Sequence, residues 1–162
     1  MLREITSLAE ITPKKGWVHI FDIDDTLIVY EKINKKWWQD QEKCCTHIEA
    51  VKKWRDLIQH IPYTHTDKTG YDIIYKRIHD NGDKIVLLSL RSDELYDCTI
   101  KHLENLGILY DDIYLIGGKN KGKKILEICV GYTGVIFIDD SIQNLRDAIE
   151  KITIPLECYL KK

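Results

Sequence analysis

Chemistry-bearing residues concentrate where two apolar runs end in carboxylates. One is Phe21-Asp22-Ile23-Asp24-Asp25-Thr26-Leu27; the other is Val135-Ile136-Phe137-Ile138, followed by Asp139-Asp140, Ser141 and Asn144. Carboxylates are costly beside a core unless they are paired or metal-bound. Two positions apart on extended backbone, Asp22 and Asp24 project the same way. Taken alone, each run also fits a solvated turn that caps the next helix. If the two strands are neighbours, however, Asp22, Asp24, Asp139 and Asp140 converge on one point. Such a cluster calls for a cation, and hard Mg²⁺ with oxygen ligands fits best. Two further segments carry complementary groups. Leu88-Ser89-Leu90-Arg91-Ser92 puts a hydroxyl at a strand end beside a guanidinium whose fork suits carboxylate or phosphate. Gly117-Gly118-Lys119-Asn120-Lys121-Gly122-Lys123-Lys124 sets lysines at a helix start, where cations oppose the macrodipole unless an anion sits there too. A structural loop arginine and a solvated basic loop are the plain alternatives.

Positioning these groups requires strands that end together. Continuous apolar runs at Ile85–Ser89, Ile113–Ile116 and Val135–Ile138 read as strands covered on both faces, as in a parallel sheet. Trp17–Ile23 and Ile152–Tyr159 complete about five strands. Between them lie amphipathic helical patterns at Tyr71–His79, Asp93–Leu106, Lys121–Val130 and Ser141–Ile149. Asp93 and Ser141 suit N-caps, and Gly107 and Gly131 suit C-terminal stops. The alternation predicts an α/β, Rossmann-like three-layer fold with a central parallel sheet. Residues 28–66 break the rhythm. They hold Trp37-Trp38 and a helix near His47–His60, and they read as a small cap or flap inserted after the first strand. Residues 1–162 otherwise form a single domain.

Lys plus Arg number 24 and Asp plus Glu 26, a formal charge of −2, which gives no clear nucleic-acid signal. The five cysteines cannot all pair and form no C-x-x-C spacing; they read as reduced thiols, mostly small apolar fillers. The six histidines show no metal-ligand spacing, and His19 reads as a satisfied core residue. No apolar stretch is long enough to span a membrane, and no secretory signal pattern precedes the first strand, so a cytoplasmic location is expected. Oligomeric state is not legible.

In chain order, Asp22/Asp24/Thr26, Ser89, Lys121 and Asp139/Asp140 resemble the four motifs of the haloacid dehalogenase (HAD) superfamily, small-cap type. The resemblance covers about Trp17 to Asn144. Trp37-Trp38 with Gln39 and Gln41, the Ser89-Leu90-Arg91 turn and Asn120-Lys121-Gly122 are similar to a poorly characterised bacterial branch of it. The resemblance implies a Mg²⁺-dependent phosphomonoester hydrolase acting through an aspartyl-phosphate on Asp22, with Asp24 as acid and base. Thr26, Ser89 and Lys121 would bind phosphate. Asp22, the Asp24 backbone carbonyl and Asp139 would hold Mg²⁺, with Asp140 and Asn144 in an outer or water-mediated layer. Arg91, Trp37 and Trp38 are candidates for contacts to a phosphorylated substrate of unspecified class. Leu90 stands where many relatives have a small residue. The main alternative is a non-catalytic HAD-like module that binds a phospho-ligand or a protein. A signalling receiver domain would need its acidic pair early and its lysine last, the reverse of the order here.

Overall fold

A computed structural model of the chain describes residues 1–162. Its strands are β1 (Leu2–Ile5), β2 (Trp17–Phe21), β3 (Ile28–Tyr30), β4 (Tyr63–His65), β5 (Ile85–Ser89), β6 (Asp112–Leu115), β7 (Gly134–Asp139) and β8 (Leu156–Lys161). Its helices are α1 (Lys35–Cys44), α2 (His47–Ile58), α3 (Lys68–Asp80), α4 (Tyr96–Asn105), α5 (Lys121–Ile128) and α6 (Ile142–Lys151). Six strands form one all-parallel sheet in the order β1-β8-β7-β2-β5-β6, while β3 and β4 pair antiparallel in a separate ribbon. Alternate residues of the central strands feed two cores. Phe21, Leu87, Ile136 and Ile138 pack with α3 and α4 through Tyr71, Ile74, Ile78 and Leu103. Val18, Ile20, Val86, Val135 and Phe137 pack with α5 and α6 through Ile125, Leu145 and Ala148. Helices on both faces of a parallel sheet give the three layers expected.

Several expectations need revision. The sheet has six strands rather than about five. The extra one, β1, lies at the edge with only Ile5 buried, so it presents no apolar run to read. The last strand starts at Leu156 because Pro155 has no N–H for the ladder, although its carbonyl still accepts from Val135 N. Asp93 is not the cap of a long helix: a 3-10 turn spans Asp93–Leu95, and α4 begins at Tyr96. His19 is fully buried, but its Nδ1 has no partner; Nε2 accepts from Lys14 N at 3.4 Å. All five cysteines are free, yet Cys44 is exposed rather than a core filler.

Residues 28–66, the expected insertion, lie between β2 and α3 and carry β3, α1, α2 and β4. The β3–β4 ribbon is its stem, with Ile28 opposite His65 and Tyr30 opposite Tyr63. Asn34 caps α1, and a reciprocal pair of bonds between Thr46 and Glu49 starts α2. Trp37 and Trp54 pack down onto the first core.

Chain order and sheet order together bring the site residues to one edge. β2 lies between β5 and β7, with Phe21 in register with Leu87 on one side and Ile138 on the other. After β2 the chain builds the sheet outward through β5 and β6, then crosses back to β7 and β8. This reversal of direction beside β2 is where open α/β sheets place ligands, at the carboxyl ends of the strands. Lys121 arrives there at the start of α5, where Asn120 caps Lys123 N, and Asp147 of α6 accepts from Gly122 N at 2.9 Å and from Asn120 Nδ2 at 2.8 Å. A Cβ at Gly122 would lie 2.5 Å from Asp147 Oδ2 and 3.0 Å from the Asp147 carbonyl. Gly122→Ala is therefore expected to lower stability by about 1–3 kcal/mol. In urea this reads as a lower midpoint with an unchanged slope; an unchanged midpoint would mean that α5 and α6 are not in close contact here.

Candidate active site

Asp22 is the first residue beyond β2, and its N–H donates to Ile138 O at 2.9 Å, which ties it to β7. Asp139 ends β7 itself. Both carboxylates are buried, and Lys121 lies between them, its Nζ 2.5 Å from Asp22 Oδ1 and 2.7 Å from Asp139 Oδ2. Asn144 Nδ2 donates to both oxygens of Asp139, at 3.2 and 3.0 Å, and Ser141 N donates to Oδ1 at 2.8 Å. Asp22, Asp139 and Asp140 each offer an oxygen within 4.8 Å of the others.

The turn after Asp22 is tight. Leu27 N and Ile28 N both donate to Ile23 O, and Asp25 N donates to Ile28 O. Asp25 takes φ +62°, a left-handed conformation that Asp tolerates better than most residues, so it acts here as the turn residue. The N–H groups of Ile23, Asp24 and Thr26 have no acceptor within the protein. Thr26 Oγ1 donates to Asp22 Oδ2 at 3.1 Å, with Asp140 Oδ1 at 3.4 Å. The hydroxyl expected to bind phosphate is thus spent on orienting the carboxylates. Ser89 is fully buried at the end of β5, and its Oγ accepts from Arg91 N at 3.1 Å, which leaves its own proton free to donate.

Asp24 points away from the cluster. Arg91 Nε and Nη2 clasp its two oxygens at 3.0 and 2.7 Å. Arg91 is itself buried, so the fork proposed for a substrate anion is already occupied by Asp24. The side chain of Asp24 is likewise outside the trio of clustered carboxylates, whereas Asp140, expected farther out, is within it.

Beside Asp24 a cleft of about 670 Å³ separates the insertion from the sheet. Tyr30, Trp38, His47, Trp54 and Arg55 line it from the insertion, and Asp24, Leu90, Arg91 and Gly117 from the sheet side. Trp38 reaches the cleft; Trp37 does not line it and packs edge-on against Trp38. The other lysines of the basic segment do not join Lys121. Lys119, Lys123 and Lys124 line a separate groove, where Lys124 pairs with Glu127 and lies over the Tyr114 ring.

A family model described as HAD superfamily, subfamily IIIB (acid phosphatase) matches residues 2–153. The chain belongs to that family. Comparison with curated proteins returns no match. This subfamily IIIB protein is a phosphoric monoester hydrolase. No helix is long and apolar enough to cross a membrane. Phosphatases of the superfamily generally use a divalent metal, and the carboxylate group fits one: its negative charges outnumber the single ammonium beside them.

Electrostatics of the site point the same way. Burial pushes the Asp22 carboxyl well above its usual range; Lys121 opposes this, and Asp139, Asp140 and Asp24 add to it. Asp140 is an exposed residue, yet desolvation of its carboxyl, then the charge of Asp139, raise it to about 6. Lys121 is held firmly charged by Asp22 and Asp139 despite the cost of its burial. A carboxyl whose folded value is raised binds its proton more tightly folded than unfolded. Its stabilisation is complete below the ordinary value near 3.8 and is lost as pH rises through the folded value. A divalent cation must displace that proton. The rise in melting temperature caused by saturating Mg²⁺ is therefore expected to grow from about pH 4 to about pH 6 and beyond. Thermal melts with Mg²⁺ and with EDTA check this. A Mg²⁺ effect independent of pH would mean that the cation does not bind at these carboxyls.

Residues that escaped the sequence reading of the site are Tyr30, Thr99 and His102. All surround Arg91. Tyr30 lay within an apolar run that looked like the start of the insertion, and nothing in its neighbours marks it as a polar contact.

Proposed function

We propose that the protein hydrolyses phosphomonoesters through a covalent phosphate on Asp22, with Mg²⁺ held by Asp22, Asp139 and Asp140 and by the Asp24 backbone carbonyl. The observation that carries this reading is the buried Asp22 carboxylate, placed at the sheet's ligand-binding edge with Lys121 Nζ against one of its oxygens. Mg²⁺, when bound, supplies positive charge that lets a carboxylate approach a phosphate dianion.

An Asp22 oxygen attacks phosphorus as the bond to the ester oxygen breaks, and the electron pair leaves with that oxygen. Asp24 gives the leaving oxygen a proton. It then takes a proton from water, whose oxygen bonds to phosphorus as the Asp22–phosphorus bond breaks; Asp22 is regenerated and phosphate released. The Lys121 ammonium, the Ser89 hydroxyl and the free N–H groups of Ile23, Asp24 and Thr26 are donors for the phosphoryl oxygens. Asn144 fixes the plane of Asp139, and Thr26 that of Asp22. Trp38 and Trp54 offer the leaving group a flat apolar wall in the cleft, flanked by His47 and Arg55.

The test is phosphate release from a panel spanning an activated aryl ester, sugar phosphates, nucleotides, phosphorylated oligonucleotides and phosphopeptides. Release is expected with Mg²⁺, to be lost in EDTA, and to fall to background in a folded Asp22→Asn variant. Wild-type release by Asp22→Asn would remove the nucleophile assignment, and undiminished release in EDTA would remove the metal.

A further inference from the structure

Arg91 is the largest fully buried side chain, and a buried charge must be paired. All but one of its N–H donors are placed. Nε and one Nη2 hydrogen go to Asp24, the other Nη2 hydrogen to Tyr30 Oη, and Nη1 donates to Thr99 Oγ1 at 2.9 Å. Tyr30 Oη accepts from Arg91, so its own proton goes to His102 Nδ1, 2.8 Å away. His102 must then carry its proton on Nε2, which faces Cys98 Sγ at 3.5 Å. Burial, then the charge of Arg91, drives His102 down to about 4, so the ring remains a neutral acceptor.

The two ends of this chain belong to different parts of the molecule. Asp24 and Arg91 lie in the loops that follow β2 and β5, and Thr99 and His102 on α4, whereas Tyr30 ends β3, the first strand of the insertion's stem. Trp54, on α2 of the insertion, presents its ring 5.6 Å from Arg91 Cζ. The insertion therefore touches Arg91 with both Tyr30 and Trp54. The Asp24 side chain is partly open to the cleft, and Arg91 is completely shielded, so a substrate anion could reach the fork only by evicting Asp24.

We propose that Arg91, buttressed by Tyr30 of the insertion, is the positioning residue for Asp24, so that seating of the insertion sets the two proton transfers. This rests on the aspartyl-phosphate reading above. The fork takes one lone pair from each Asp24 oxygen and fixes the plane of the carboxylate; the remaining lone pairs are free to take and give the proton. A lysine, as a point charge on a flexible stem, cannot fix that plane.

The test separates formation of the phosphorylated enzyme from its hydrolysis. An activated aryl ester such as p-nitrophenyl phosphate needs no proton on its leaving oxygen, so phosphorylation of Asp22 does not depend on Asp24, whereas the water step does. In Tyr30→Phe, which removes one hydroxyl, the burst rate of aryl alcohol should stay within about twofold while steady-state turnover falls about tenfold or more. With an alkyl phosphate, turnover should fall by at least as much and show no burst. Arg91→Lys should show the same pattern more strongly, with circular dichroism and melting temperature confirming a folded enzyme. If burst and steady-state rates of folded Tyr30→Phe fall together, or neither changes, the positioning role is wrong. Asp22→Asn serves as the separate control: turnover there would overturn the covalent mechanism itself, whatever Tyr30→Phe does.

Discussion

Two buried carboxylates, Asp22 and Asp139, stand side by side at the carboxyl edge of the sheet, and one ammonium holds them there. Without Lys121 Nζ at 2.5 and 2.7 Å, two like charges in a low-dielectric setting would be forced to take up protons or drive the strand ends apart. Much of the surrounding structure can be understood as support for that arrangement. The crossover from β6 to β7 brings α5 to the same edge. Asn120 and Asp147 hold its first turn, and Gly122 lets α6 come close enough for that. Asn144 Nδ2 and Ser141 N orient Asp139, and Thr26 orients Asp22. One lysine does not neutralise Asp22, Asp139 and Asp140 together, and that residual negative charge is what a divalent cation would meet.

A second buried ion pair, Asp24 with Arg91, stands beside the first and serves a different purpose. It separates two aspartates that are only two positions apart. Asp22 turns toward Lys121 and Asp24 turns toward the cleft, although extended backbone alone would send both the same way. Two roles for two carboxylates require two environments. Here one is set by a lysine shared with Asp139, the other by an arginine shared with the insertion.

The site's outline was legible because parallel strands covered on both faces read as continuous apolar runs, and a carboxylate at the end of such a run stands out. That reasoning reached Asp22, Ser89, Asp139 and the α/β alternation. It could not reach β1, whose short edge position leaves it without an apolar signature. Nor could it reach the partner of Arg91. A bidentate pair between residues 24 and 91 depends on β2 and β5 being adjacent, which local patterns do not encode. Tyr30 illustrates the same limit: its ring belongs to an apolar run, and its hydroxyl finds Arg91 and His102 only in three dimensions. The lysine cluster was more legible: of four lysines close in sequence the motif spacing singled out Lys121, which is buried at the carboxylates, while Lys119, ahead of α5, and Lys123 and Lys124 on it line another groove.

The most direct measurement is acid quenching of the enzyme during turnover of an aryl phosphomonoester, followed by mass spectrometry of its peptides. The expected result is one covalent phosphate, on the peptide carrying Asp22, absent without Mg²⁺ and absent from Asp22→Asn. Phosphate on a different residue, or rapid turnover with no phosphorylated peptide at any quench time, would contradict a nucleophilic Asp22.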